Sequence, residues 1–96
     1  MANKVETVSG TTTALGYQQI TSLSSSTALT VPAGAFRALI TPETQAVRWR
    51  DDGTAPSATV GMPLAVAATL EYAGDLSALR FIEQTASAKI NVSYYK

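Results

Sequence analysis

Acid–base or metal chemistry in this chain would have to start from the carboxylates Asp51, Asp52, Glu71, Asp75 and Glu83. A suitably spaced carboxylate pair can hydrolyse a glycoside, and several with carbonyl oxygens can hold Ca²⁺. Asp51-Asp52-Gly53 is the best grouping. Asp-Gly is also a favoured hairpin sequence, and the spaced acidic pattern of an EF-hand loop is absent, so the turn reading is preferred. Ser and Thr are abundant, but Ser9 and Ser77 have no G-x-S-x-G context and no histidine to activate them. Lys4, Lys89 and Lys96 belong to no recognisable Ser–Lys motif, and no Gly-rich phosphate loop is present. The chain has neither His nor Cys, which removes imidazole, thiolate, disulfides and the usual ligands of zinc and iron. The expectation is a protein that is not an enzyme and carries no cofactor or metal.

Binding chemistry has better candidates. Arg48 and Arg50 flank Trp49 in a strand-like run and share one face. They offer guanidinium forks to carboxylates of another chain, or they form weak local ion pairs with Asp51, Asp52 or Glu83. Trp49, on the opposite face, reads as a core anchor rather than a sugar-stacking platform. The adjacent Tyr94 and Tyr95 must point to opposite sides of a strand. Tyr95 is therefore either a subunit contact or an ordinary edge residue.

Lys+Arg and Asp+Glu balance at 7 each, and charged residues make up only 15% of the 96. Such a surface has no net field and no basic cluster to neutralise several phosphates, so neither nucleic acid nor an anionic membrane is expected as partner. The N-terminal run lacks the apolar stretch of a signal peptide, and nothing is long enough to cross a bilayer. A soluble protein made and used without export is expected.

The elements that must position these residues are short strands. The chain reads as one domain, residues 1–96, with 1–7 a mobile arm. Strand signals fall at 14–21, with Leu15, Tyr17 and Ile20 toward the core and an irregularity after Gly16. They recur at 27–31 (Leu29 and Val31 inward) and at 36–41, where Phe36, Ala38 and Ile40 alternate with Arg37 and Leu39 before Pro42 stops the ladder. Further signals lie at 46–51, 60–64, 69–72, 79–83 and 89–95, the last with Ile90, Val92 and Tyr94 inward. Residues 64–72 also carry helical spacing, but Pro63 and Gly74 bracket barely two turns, so strand–turn–strand is preferred. About eight short antiparallel strands imply an all-β fold, a small two-sheet β-sandwich or jelly roll.

The segments AVRWRDDGTAPSATVG (46–61), GMPLAVAATLEY, GDLSALRFIE and KINVSYYK, in that order, resemble small structural proteins of tailed-phage virions over about half the chain. The resemblance implies a β-sandwich head decoration (cement) protein, or a neck or tail accessory. It implies the major capsid protein or other virion proteins as partners. A homo-oligomer, trimer first, is expected, located in the virion after synthesis in the host cytoplasm. The alternative is a glycan- or receptor-binding module of a tail fibre. At Val66-Ala67-Ala68 the chain departs from the resemblance, because glycine is expected in that turn.

Overall fold

The computed structural model describes residues 4–7 and 10–96. Among them are nine strands, all antiparallel where they pair, and no α-helix. In chain order they are β1 (Lys4–Thr7), β2 (Gly10–Ile20), β3 (Thr27–Ala28), β4 (Arg37–Glu43), β5 (Val47–Arg50), β6 (Met62–Leu64), β7 (Leu70–Ala73), β8 (Arg80–Glu83) and β9 (Lys89–Tyr95). One sheet has the order β1-β2-β9-β4-β7 and the other β3-β8-β5-β6. From β2 onward the strands pair in nested fashion: β2 with β9, β3 with β8, β4 with β7, and β5 with β6. That nesting is a long hairpin rolled up on itself, the jelly roll. Residues 1–3 of the expected arm lie outside the described residues, and Lys4–Thr7 pair with β2 as β1.

Alternation explains the core. Ala38 and Ile40 of β4, Val47 of β5, Phe81 of β8, and Ile90, Val92 and Tyr94 of β9 all point between the sheets and are buried. Leu23, Leu29, Leu76 and Leu79 close the open sides from the connections. The lengths of β5, β8 and β9 follow from their runs of alternating residues, β9 over the whole expected segment.

Four expectations are corrected. Pro42 does not stop the ladder; β4 runs through it to Glu43, paired with β9. The Pro42 carbonyl accepts from Ala67 N–H (3.0 Å), on the side where β7 pairing has already ended at Ile40–Leu70. A missing N–H on that side therefore leaves no gap in the ladder. Tyr17 points outward and is 65% exposed, because a bulge at Leu15 places two residues of β2 opposite one of β9 and shifts the faces. Phe36 is 48% exposed, since β4 begins one residue later; its ring lies 5.6 Å from the Arg37 guanidinium carbon. The expected strand at 60–64 shrinks to Met62–Leu64, leaving Val60 in a loop.

The segment 64–72 is strand–turn–strand. Ala68 N–H donates to the Ala65 carbonyl (3.0 Å), and Ala67 sits in the turn at φ +68°. This is the position where glycine is expected. Asp75 caps a single 3₁₀ turn, Leu76–Ala78, by accepting from Ser77 N–H. No helix among the described residues is long and apolar enough to cross a membrane.

Candidate functional site

The connection between β5 and β6, residues 51–61, is the longest in the domain among the described residues, and it is held in one shape. Arg48 is the staple. Its Nη1 donates to the Gly61 carbonyl (2.8 Å) and its Nε to the Ala58 carbonyl (3.2 Å). With the Gln84 amide oxygen turned toward the guanidinium, that oxygen accepts from Nε (2.9 Å) and Nη2 (3.3 Å). Within the loop, Ser57 and Val60 exchange backbone hydrogen bonds, and Ser57 Oγ accepts from Val60 N–H (3.0 Å). Pro56 is buried against the strand end. Gly61 is required there: φ is +140°, and a Cβ would stand 3.2 Å from Arg48 Cβ, Pro56 Cβ and the Trp49 carbonyl.

Arg50 extends from the same face to Asp52 as a two-pronged ion pair, Nε to Oδ1 at 3.0 Å and Nη2 to Oδ2 at 2.5 Å. The hydrogen bond from Arg50 holds the Asp52 carboxyl below its ordinary pKa, and the same bond raises that of Arg50. Asp51 turns the other way and accepts from Tyr72 Oη on β7 (2.7 Å). That bond, with some burial, pushes the Tyr72 hydroxyl up to about 12. Tyr72 meets Trp49 edge-to-face, centroids 6.1 Å apart at 84°, so β5 of one sheet is tied to β7 of the other.

Between loop and strand lies an open cleft of about 430 Å³ lined by Arg50, Asp51, Asp52, Val60, Gly61 and Met62. Val60 and Met62 are each more than half exposed. The arrangement pairs two apolar side chains with a charged rim on a rigid loop. This is the composition of a small protein-contact patch.

The sequence-derived candidates fall differently within this geometry. Arg48 and Arg50 do share a face, but Arg48 is spent on the loop and Arg50 on Asp52. Tyr95 is 5% exposed, which removes it as a contact: β9 is the central strand of the five, and Arg37 and Ala14 flank Tyr95 on either side. Trp49 is partly buried and packs against the core. Asp51, Asp52 and Asp75 each have a hydrogen-bond partner of their own. No group of three or more acidic residues able to hold a metal ion forms among the described residues. Sequence reasoning missed Val60 and Met62. The available signal was Pro63, which confines β6 to a three-residue edge strand, so that Val60 lies in the loop and Met62 at the strand's exposed first position.

Comparison of the chain with protein-family models, with curated proteins and with solved structures finds no match.

Proposed function

We propose that this chain is a structural protein of a tailed-phage virion, a head decoration (cement) protein that binds the major capsid protein and strengthens the assembled shell. The observation that carries the reading is the stapled 51–61 loop. It is preorganised, it presents Val60 to solvent beside Met62 of β6 and the charged Arg50, Asp51 and Asp52, and it lies in the segment that resembles virion proteins. A loop fixed before binding loses little conformational freedom on docking, so a small patch repeated over a symmetric shell gives useful avidity. Jelly rolls recur in viral capsid domains, and this analogy at the level of fold adds support.

The test uses phage particles assembled without this chain. Purified protein is expected to bind them and raise their melting temperature. The double substitution Val60→Asp, Met62→Lys is expected to abolish binding while leaving the melting of the free chain unchanged. Failure to bind, or particles equally stable with and without the chain, would overturn decoration. A neck or tail accessory would use the same patch on a different virion protein, and imaging of the chain within intact virions separates the two. The glycan-binding reading draws no support from Trp49, whose ring is engaged with Tyr72 and the core.

A further inference from the structure

The outer face of the four-stranded sheet carries more positive charge than the chain neutralises. Arg48, Arg50 and Arg80 project from it, because Val47, Trp49 and Phe81 of the same strands turn inward. Among the described residues, Asp52 is the one carboxylate within ion-pair distance of any of the three, and it takes Arg50. Arg48 is occupied by the carbonyls of Ala58 and Gly61 and by Gln84. Arg80 is only half engaged. It stands directly opposite Arg50 in the β5–β8 register, so two like charges face each other and one is cancelled. Its Nη1 donates to the Ser77 carbonyl (2.7 Å) and the Leu79 carbonyl (3.0 Å), which anchors one end of the guanidinium. Nε and Nη2 have no partner among the described residues. Those two nitrogens form the edge that offers parallel N–H groups to a carboxylate. Arg50 shows the mode on the neighbouring strand, with Nε bound to Oδ1 and Nη2 to Oδ2 of Asp52.

Arg80 also borders a cavity of about 230 Å³ with Ser26, Gly53, Thr54, Ala55 and Ala78. The start of the 51–61 loop and the connection before β3 supply its other walls. The hydroxyls of Ser26 and Thr54 have no hydrogen-bond partner among the described residues, so each is free to donate to a ligand oxygen. Gly53 has open space where a Cβ would stand, so the loop backbone does not obstruct approach. We infer that this cavity binds a carboxylate, and that the carboxylate is an Asp or Glu side chain of a partner protein. The unpaired guanidinium edge selects a planar group with two oxygens. The volume lies below the roughly 300 Å³ at which small-molecule pockets begin, so it suits the end of a side chain and not a whole metabolite. The cavity also adjoins the Val60–Met62 cleft: Asp52 lines that cleft, and the next residue, Gly53, lines this one. A partner surface with an apolar centre and an acidic rim can therefore engage both.

The site goes beyond the virion reading and is measured on the free chain, so each can fail without the other. The probe is N-acetylglutamate N-methylamide, a glutamate side chain with no other charge, followed by nitrogen–proton NMR of the whole chain at constant ionic strength. The Arg80 Nε–H and the amides of Gly53 and Thr54 are expected to shift and saturate. The Arg50 Nε–H should stay in place, because Asp52 already holds it. Arg80→Lys keeps the charge but loses the fork, and should weaken binding at least about tenfold, the loss of one charge-assisted hydrogen bond. Ala55→Phe fills the cavity from an exposed position, leaves Arg80 untouched, and should abolish the shifts. Thermal melting of both variants reports whether the fold is intact. Shifts that grow without saturating, equal shifts at Arg50 and Arg80, or binding indifferent to Arg80→Lys overturn the proposal. So does tighter binding of inorganic phosphate, which would mark a phosphate site, or of succinate, which would mark a free dicarboxylic acid.

Discussion

The strain in this domain is unevenly placed, and its removal is measurable. Thr44 (φ +76°), Ala67 (φ +68°) and Ser87 (φ +79°) are the non-glycine residues with positive φ among the described residues. They occupy the β4–β5, β6–β7 and β8–β9 connections, which the jelly roll brings to one end. The positive-φ glycines, Gly34, Gly53, Gly61 and Gly74, lie in the connections of the opposite end. Left-handed backbone costs an L-residue roughly 1–2 kcal/mol. Glycine removes that cost but gives back roughly 0.4–1 kcal/mol through the freedom of the unfolded chain. The net gain is about 0.5 kcal/mol for Ala67→Gly and Ser87→Gly. It is nearer ~1 kcal/mol for Thr44→Gly, because a β-branched residue fits this region worst. Thr44 is also bridged by Gln45 N–H donating to the Glu43 carbonyl (2.9 Å), a tight three-residue turn of the rarer, strained hand. Gln84 N–H donates to the Ala46 carbonyl (3.0 Å) and joins the β4–β5 and β8–β9 connections, but neither Thr44 nor Ser87 is a partner in that bond, so the triple variant should gain about 2 kcal/mol, or on the order of 10 °C in melting temperature for a domain of this size. Urea unfolding followed by Trp49 fluorescence and calorimetry both read this. Gly53→Ala is the matched control: φ is +87° with open space around the would-be Cβ, so it should lose about 1 kcal/mol from backbone conformation alone. If the triple variant is no more stable than the parent, or Gly53→Ala is neutral, the positive-φ reasoning is refuted.

Further outcomes follow from the candidate site. Arg48→Ala should cost about 2 kcal/mol in urea unfolding, because carbonyls of Ala58 and Gly61 lose a charged donor and the 51–61 loop loosens. Arg50→Ala, which breaks only an exposed pair with Asp52, should leave the urea midpoint almost unmoved, and a loss equal to that of Arg48→Ala would contradict the staple. Tyr72 and Tyr94 are both pushed up to about 12, the first by its bond to Asp51 and the second by burial. Their folded pKa values exceed the unfolded ones, so their contribution is complete below about pH 10 and is lost as pH rises to about 12. Unfolding free energy should therefore fall across that window, by no more than about 2 kcal/mol per tyrosine after solvent screening. Tyr94→Phe should flatten the fall, and a parent chain of constant stability to pH 12 would refute the assignment.

Local pattern made the strands legible where alternation was unbroken. β9 runs over the whole expected segment, β5 and β8 stand within a residue or two of expectation, and the two-sheet fold follows from them. The illegible residues are those whose side or exposure depends on a strand far away in sequence. Tyr17 changes face because β2 bulges against β9, which enters some 70 residues later. Tyr95 is covered because β9 is central, a property of sheet order that no window around Tyr95 contains. Pro42 is tolerated because β7 has ended beside it. The same logic governs the site. Asp51, Asp52 and Arg50 are adjacent in the chain and were legible as a turn with a local ion pair. Arg48's grip on Ala58, Gly61 and Gln84 spans up to thirty-six positions and was not. The 51–61 loop is held by contacts that are non-local. Arg48, which the sequence offers either to another chain or to a local ion pair, in the folded chain fixes the 51–61 loop instead.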